Sequence, residues 1–533
     1  MENSNGNDKG SATGQPDASA DLGWAFGELR GACLGDARLV QRLAQITLDI
    51  SKMPEGSIPS ACNGGAHQAK AAYRFFDNDN VTPEAIEAAH RESTIGRITA
   101  LGCSLVLAVQ DSTFINFTTH RATTGLGPIG KPDGPRGFIH HGVLAVDAEK
   151  GIPLGLLDSF TWVRPEKVAG TAPSAPAAAE EAEGAAPSAP AVAEEAEGAA
   201  PSTPAVAEEK ESRRWLDALT RTSGILPAGV RMLTVADREA DCFEFFDHAR
   251  NLGEHVLVRV HHDRSVAVGD EIRPLWDAAR AAEPLGRITF TVPRDNQNKR
   301  PEREAIATLQ VASVQLQCPQ RLAARHLAPV PACVILLQEI DVPPDQEPVQ
   351  WLLLTSLAVR TLAEAEQCVL WYSWRWRIER LHFILKSGCN YEKLQLETAE
   401  RLWRALAIYL IVAWRVLYID MIGRTLPTAP CTVFLTRDEW QALCCRRMKT
   451  PTPPTTPPDC RTAVRWLAQL GGFLSRKGAA AYCTSFSRSS VNLAATAQKR
   501  GCGVPAVGWR GIVGRRPVHS LPTSWSNIHS ASA

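Results

Sequence analysis

The chain has 533 residues, 44% of them hydrophobic and 21% charged, which allows two to four domains around a substantial core and excludes a disordered or fibrous protein. No run of 18 or more apolar residues marks a membrane span, and the leader Met1 to Asp21 lacks the apolar centre of a signal peptide, so a cytoplasmic location is expected. The 14 cysteines are scattered without a Cys-x-x-Cys pair, Cys444 and Cys445 alone being adjacent, which argues against a zinc site or a secreted disulfide framework.

A formal net charge of zero would argue against a nucleic-acid-binding protein, because phosphate contacts need an excess of Lys and Arg. The zero is an average over unlike parts. Three copies of a 14-residue Pro/Ala/Glu repeat start at Gly170, Gly184 and Gly198 and carry nine Glu against the one Lys210, leaving an excess of eight positive charges in the rest. Such a composition buries too little apolar surface to fold, so 167–212 is expected to be a disordered linker or surface loop.

In chain order, a polar leader (1–22) precedes a helical pattern over 23–97. That pattern contains the run Leu34-Gly-Asp-Ala-Arg-Leu-Val-Gln-Arg42 and the run Ala71-Ala-Tyr-Arg-Phe-Phe-Asp77. From Leu101 the texture changes. Ser104-Leu-Val-Leu-Ala-Val-Gln110 reads as a strand buried on both faces and ending on Asp111. Further strands are expected at Gly142 to Asp147 and Leu154 to Leu157, followed by a helix opening at Arg214, a strand Arg231 to Ala236 that ends on Asp237, and another at Val256 to Arg259. The stretch 263–350 is β-rich, and the helix Glu364 to Lys386 follows. Ala399 to Ile422 is a helix apolar enough for a core, Thr450 to Pro458 a linker, and Arg461 to Leu470 a last helix. The tail 479–533 shows no sustained period.

Two aspartates at strand ends and a glutamate on a later helix form the set that two-metal phosphoryl transfer requires. Carboxylates bind hard divalent cations, and ions about 4 Å apart activate the attacking oxygen and stabilise the leaving one. Asp111, Asp237 and Glu379 meet that description, and adjacent strand ends are where an open α/β sheet gathers ligands. On an ideal helix, Tyr372, Arg375, Glu379 and Lys386 fall within an arc of about 60°, apart from the apolar face of Trp371, Trp374, Ile378, Leu381 and Leu385. A carboxylate flanked by Arg, Lys and Tyr suits a metal ligand bordered by phosphate-gripping groups. An exposed face of compensating charges fits the same spacing, and each aspartate could simply start a turn.

The string Tyr372-Ser-Trp-Arg-Trp-Arg-Ile-Glu-Arg-Leu-His-Phe-Ile-Leu-Lys386 resembles the Y-(2)-R-(3)-E-(6)-K signature of DDE transposases of the IS-four family of insertion sequences, matching at all four positions. Asp237-Arg-Glu-Ala-Asp241 and Ala108-Val-Gln-Asp-Ser-Thr113 resemble the same family's aspartate motifs. Leu34 to Arg38, Ser57 to Cys62 and Ala72 to Asn78 resemble its DNA-binding region, and Leu470-Gly-Gly-Phe-Leu-Ser-Arg-Lys477 its C-terminal part. The resemblance implies an α/β protein with an RNase H-like catalytic core in three parts (98–166, 213–262 and 351–425). A β-rich insertion would interrupt it at 263–350, with a helical N-terminal DNA-binding domain before it and a helical C-terminal subdomain (426–478) after it.

By the same resemblance, Asp111, Asp237 and Glu379 hold two Mg2+ ions, with Mn2+ as a substitute. The activity implied is cut-and-paste transposition, with Tyr372, Arg375 and Lys386 on DNA near the cleaved phosphate. Trp351 and Trp376 are then aromatics available to a flipped-out base, and Arg42 and Arg74 grip double-stranded transposon-end DNA. Each has a plain counterpart: a core tryptophan, a surface salt bridge. The sequence departs from the family at the acidic repeat and at the tail, where a helix that would pair two subunits into a homodimer is not legible. Two other readings stay open, a DNA-binding relative that represses its own element without transposing, and a metal-dependent nuclease.

Overall fold

The computed structural model describes residues 23–62, 64–131, 134–165, 204–292, 301–344 and 346–470, and of 204–212 the backbone alone. The polar leader, most of the acidic repeat, the string Gly471 to Lys477 and the tail lie outside the described residues.

Five helices open the chain: α1 (Gly23–Leu29), α2 (Ala37–Lys52), α3 (Ile58–Ala61), α4 (Ala66–Phe76) and α5 (Pro83–Ala100). Their starts follow local chemistry. The Asp36 carboxylate accepts the amide of Arg38 ahead of α2, and the Thr82 hydroxyl accepts the amide of Ala85 ahead of α5, where Pro83 occupies the first turn. Leu43, Ile46 and Ile50 recur at helical spacing along α2 and are buried with Phe75, Phe76 and Ile86.

Next come β1 (Leu105–Asn116), β2 (Gly127–Pro128), β3 (Arg136–Asp147) and β4 (Pro153–Trp162), then α6 (Pro204–Thr222), β5 (Arg231–Ala236), α7 (Phe243–Leu252) and β6 (His255–Arg259). In space these strands lie in the order β4-β3-β1-β5-β6, with β3 antiparallel to both β1 and β4, and β5 parallel to both β1 and β6. The β-rich stretch then adds β7 (Ser265–Val268), β8 (Glu271–Pro274), α8 (Leu275–Arg280), β9 (Pro284–Val292), β10 (Arg303–Leu316), β11 (Val330–Ile340) and β12 (Gln350–Thr355). It continues the same sheet, because β12 pairs antiparallel with β6 and carries β11 and β10 beyond it.

The chain closes with α9 (Leu362–Ser373), α10 (Trp376–Phe383), α11 (Ala399–Thr425), α12 (Arg437–Met448) and α13 (Cys460–Leu470). By length and composition α11 could cross a membrane, but 94% of its most apolar window is buried inside the fold, packed by α5, β4, α10 and α13. It is the central helix of the core, and Trp414 on it lies 2% exposed beneath the Arg97 guanidinium, 4.2 Å from the ring centre.

Three expectations need correction. The strand thought to end on Asp111 runs on to Asn116, because β3 continues to pair with it from Val106↔Asp147 to Asn116↔Gly137 after β5 has stopped. The helix expected to open at Arg214 begins at Pro204, inside the third repeat copy, where Ala and Glu are good helix formers and Pro is tolerated in the first turn. The helix read as continuous from Glu364 to Lys386 is broken at Trp374 and Arg375 by a turn of three-residue hydrogen bonds (Arg375 N–H to Tyr372 O, Ile378 N–H to Arg375 O) and ends in a π-helical turn, Ile384–Gly388. The break has a packing cause: the Trp371 indole donates to Ala148 O at 3.0 Å, and Trp374 lies so close over Gly151 that a Cβ there would sit 2.8 Å from its ring.

Gly137, on the same β1–β3 ladder, has no room for a side chain, since a Cβ would lie 1.8 Å from the Ile115 carbonyl oxygen. Gly137→Ala should therefore destabilise the protein by about 1–3 kcal/mol, as overpacking does. Gly96→Ala, on an exposed helical site with nothing within 4 Å, should stabilise it by about 0.5–1 kcal/mol. Chemical-denaturation midpoints of the two variants moving in the same direction would contradict this account.

Candidate active site

The β1–β5 register brings the first two carboxylates together. The parallel ladder runs from Leu105↔Arg231 to Val109↔Val235, so the next same-facing pair along both strands is Asp111 and Asp237. Neither is in the ladder. Asp111 lies on the overhang of β1 held only by β3, opposite Gly142, while Asp237 has just left β5 and caps a short helical turn by accepting the Glu239 amide at 2.9 Å.

The third carboxylate comes from above the sheet. Glu379 sits in the first turn of α10, one-third exposed, and forms an ion pair with Arg375, itself 7% exposed. Arg375 stands at the centre of the cluster. Burial would weaken its charge, but Tyr372, Glu379, Asp111 and Asp237 around it raise its proton affinity well above the ordinary. Its Nε is buried and has no hydrogen-bond partner among the described residues.

Asp111 also holds its proton more tightly than usual, which here disfavours the charged form. Burial, reinforced by Asp237 and Glu379 and opposed by Arg375, pushes its carboxyl up to about 7. Glu379 is also raised, by burial first, with Arg375 holding it down and Asp237 adding to the rise. Like charges crowded in a poorly solvated place cannot all stay ionised without a counter-charge.

The helical arithmetic placed Tyr372, Arg375, Glu379 and Lys386 on one face of a regular helix; the break and the π turn mean that they meet by a different route. Tyr372 is 3% exposed, its phenol raised by burial, and the Arg375 guanidinium lies 5.9 Å from its ring centre. Lys386 approaches β1 from the π turn, its ammonium donating to Phe114 O at 2.7 Å and its pKa lowered by burial. Beside it, Glu392 accepts the Asn116 amide at 2.9 Å, so the two side chains cover the β1 edge that β5 leaves unpaired.

The remaining candidates are placed differently. Trp351 on β12 is 8% exposed and packs edge-on against Tyr372 at 5.3 Å, below the Arg259 guanidinium, as a core residue does. Trp376 is 47% exposed, with Arg375 over its ring at 5.4 Å, and of the two it is the one a base could reach. Arg42 on α2 is half-buried and Arg74 on α4 is exposed, both far along the chain from the carboxylates.

Sequence reasoning overlooked His382 beside Asp111 and two buried histidines on β3. His382, one helical turn after Glu379, is buried with Nδ1 3.6 Å from Asp111 Oδ2. His141 shares a 2.8 Å hydrogen bond with Ser112 Oγ, and His140 lies one residue before it on β3. Burial lowers all three, His140 to about 3, and keeps them neutral. The signal was available: two consecutive histidines in an otherwise apolar strand, and a third at i+3 from the glutamate.

In kind, three carboxylate donors fit a hard divalent cation. Among the described residues, no three His, Cys, Asp or Glu side chains stand close enough together to hold an ion as they are. Arg375 balances the charge of the cluster, and Glu379 is paired with it.

Asp111 and Asp237 are thus level across β1 and β5, with Glu379 of α10 within electrostatic range of both, beside a buried arginine and an exposed tryptophan. Residues 21–81 match a family model described as transposase DNA-binding, and residues 204–415 match one described as transposase DDE domain. The chain thus carries the two domains of a DNA-binding, DNA-cleaving DDE transposase. Arg42 and Arg74 fall inside the first match, Asp237 and Glu379 inside the second; Asp111 precedes it and is joined to it by the sheet register.

A carboxyl group raised in the folded state keeps its proton longer than in the unfolded chain, so its contribution to stability is greatest below the unfolded pKa and is lost as pH rises towards the folded value. For Asp111 that window runs from about 4 to about 7. In EDTA, Asp111→Asn should stabilise the protein at pH 8, and the gain should vanish near pH 4. A gain that is the same at both pH values in denaturant titrations would show that the Asp111 charge is not strained.

Proposed function

We propose that this chain is a cut-and-paste transposase of the IS-four type, which binds transposon ends and catalyses metal-dependent DNA cleavage and strand transfer. The alignment of Asp111 with Asp237 across the β1–β5 ladder, with Glu379 in their electrostatic range, carries the reading. The strand order β4-β3-β1-β5-β6, three antiparallel strands followed by two parallel ones, supports an RNase H-like core for it.

In this reading Asp111, Asp237 and Glu379 hold two Mg2+ ions, with Mn2+ as a substitute; bound there, the ions supply positive charge for the attacking and leaving oxygens. The residues of the chain do the rest. Arg375, freed from Glu379, turns its guanidinium to a phosphate, which matches its planar donor fork better than one carboxylate oxygen does. Lys386 holds the β1 overhang in place and presents charge beside it. Trp376 offers an aromatic face to an unpaired base. Arg42 and Arg74 neutralise phosphates of double-stranded DNA at the end of the element, the work of the helical module. The protein acts in the cytoplasm at the nucleoid, and strand transfer to target DNA requires two copies to pair two ends.

Glu379→Gln should abolish nicking of a transposon-end duplex in Mg2+, by more than 100-fold if metal positioning is lost, and leave duplex binding intact. Near wild-type nicking would refute the assignment. Arg74→Ala should weaken duplex binding and reduce the slope of log affinity against log salt by about 1 for each phosphate that the arginine neutralises; an unchanged slope would place Arg74 outside the DNA interface.

A further inference from the structure

On β1 the side chains after Asp111 alternate in burial: Thr113 and Ile115 face inward, 7% and 0% exposed, while Phe114 between them is 47% exposed. An isolated exposed aromatic is ordinary on a protein surface. Phe114 is not isolated. The Arg164 guanidinium, just beyond the end of β4, lies over its ring 5.5 Å from the centre, and the Lys386 ammonium is fixed at its backbone carbonyl. An aromatic face, a stacked guanidinium and a second cation are thus assembled on the overhang that bears Asp111. Among the described residues no strand pairs with it on the side away from β3, because β5 has ended.

We propose that Phe114 and Arg164 form a stacking platform for an unpaired base of single-stranded DNA running past the Asp111 cluster. Every base has a π face, so an aromatic ring backed by a cation binds single strands with little regard to sequence. Three residues of extended chain separate Phe114 from Asp111, about 10 Å, and by the alternation of a strand the two side chains project from opposite faces of the sheet. A single strand on the platform would therefore reach the carboxylates by rounding the β1 edge beside Lys386. The platform is distinct from Trp376, which lies on α10 beside Arg375, and it asks nothing of the buried Trp351. Among the described residues, Arg164 and Lys386 outnumber the carboxylate beside them, Glu392 at the Asn116 amide, so the charge of the patch suits a polyanion rather than an apolar partner.

The inference rests on the reading of the chain as a DNA-cleaving enzyme, and its test separates the two. Phe114 is half-exposed, so it can be changed without opening the core. The probe is a fluorescently labelled dT20 in EDTA, with the full chain. Phe114→Trp should bind it as wild type does and show quenching of the new indole as base stacks on ring. Phe114→Ala and Phe114→Leu should each lose roughly 10-fold or more in affinity, since stacking is worth about 1–3 kcal/mol per base; the leucine keeps bulk and apolarity and lacks the π face. Arg164→Ala should lose affinity in the same sense.

Wild-type affinity in Phe114→Leu, or an unquenched indole in Phe114→Trp, would overturn the platform. So would a concentration-dependent self-association abolished by Phe114→Ala without any effect on dT20, which would assign the patch to a second copy of the chain. In each of those cases, Mg2+-dependent nicking by the wild-type protein would leave the enzymatic reading standing. Its failure alongside intact dT20 quenching would do the reverse.

Discussion

The parallel pairing of β1 with β5 sets the terms for everything charged in this protein. By stopping at Val109↔Val235 it leaves Asp111, largely removed from water, level with the half-buried Asp237 just past the last shared rung. Two carboxylates so placed, and a third nearby on α10, are mutually destabilising. Arg375 makes the arrangement tolerable, pairing with Glu379 and feeling all three acids at once. The cost of removing a charge from water exceeds what one pair recovers unless partners surround it, and here the surround is arginine, tyrosine and neutral histidine. The cluster is held together by electrostatic compensation centred on Arg375.

Placing α10 over the sheet depends on packing rather than charge. Trp371 and Trp374 anchor on the turn between β3 and β4, through a hydrogen bond to Ala148 O and a close approach to Gly151, and the helix is overwound there and underwound at the π turn to satisfy both ends. Local departures from α geometry of this kind gather at functional sites. Their effect is to bring Glu379 towards Asp111 while letting Lys386 reach the backbone of β1.

The helical N-terminal module is locked to the same framework. His90 on α5 shares a 2.6 Å bond with Glu28 on α1 and accepts the Leu156 amide of β4 at 3.0 Å, which fixes its proton on Nδ1. Arg97 bonds Glu28 and Leu154 O and stacks on Trp414 of α11. Burial would raise the Glu28 carboxyl, but His90 and Arg97 hold it at about 2. The part that matches a transposase DNA-binding family is thereby coupled through partnered polar groups to β4, the strand next to β3.

The residue types, their order and their periods were enough to locate the helical module, the buried strands preceding Asp111 and Asp237, the apolar core helix and the spacing of Tyr372, Arg375, Glu379 and Lys386, because each is a local property written in hydrophobic pattern and motif. Tertiary structure decided what local pattern cannot carry. It ran β1 on past Asp111, since strand length is set by the partner β3 and not by the strand's own residues. It broke the helix at Trp374 because two tryptophans had to seat on a distant turn, and it buried Trp351 while exposing Trp376 and Phe114, since exposure depends on which elements pack above a residue. It also drew His382 of α10 to Asp111 and set His140 of β3 close to His382, a proximity that exists only once β3 and α10 lie against β1.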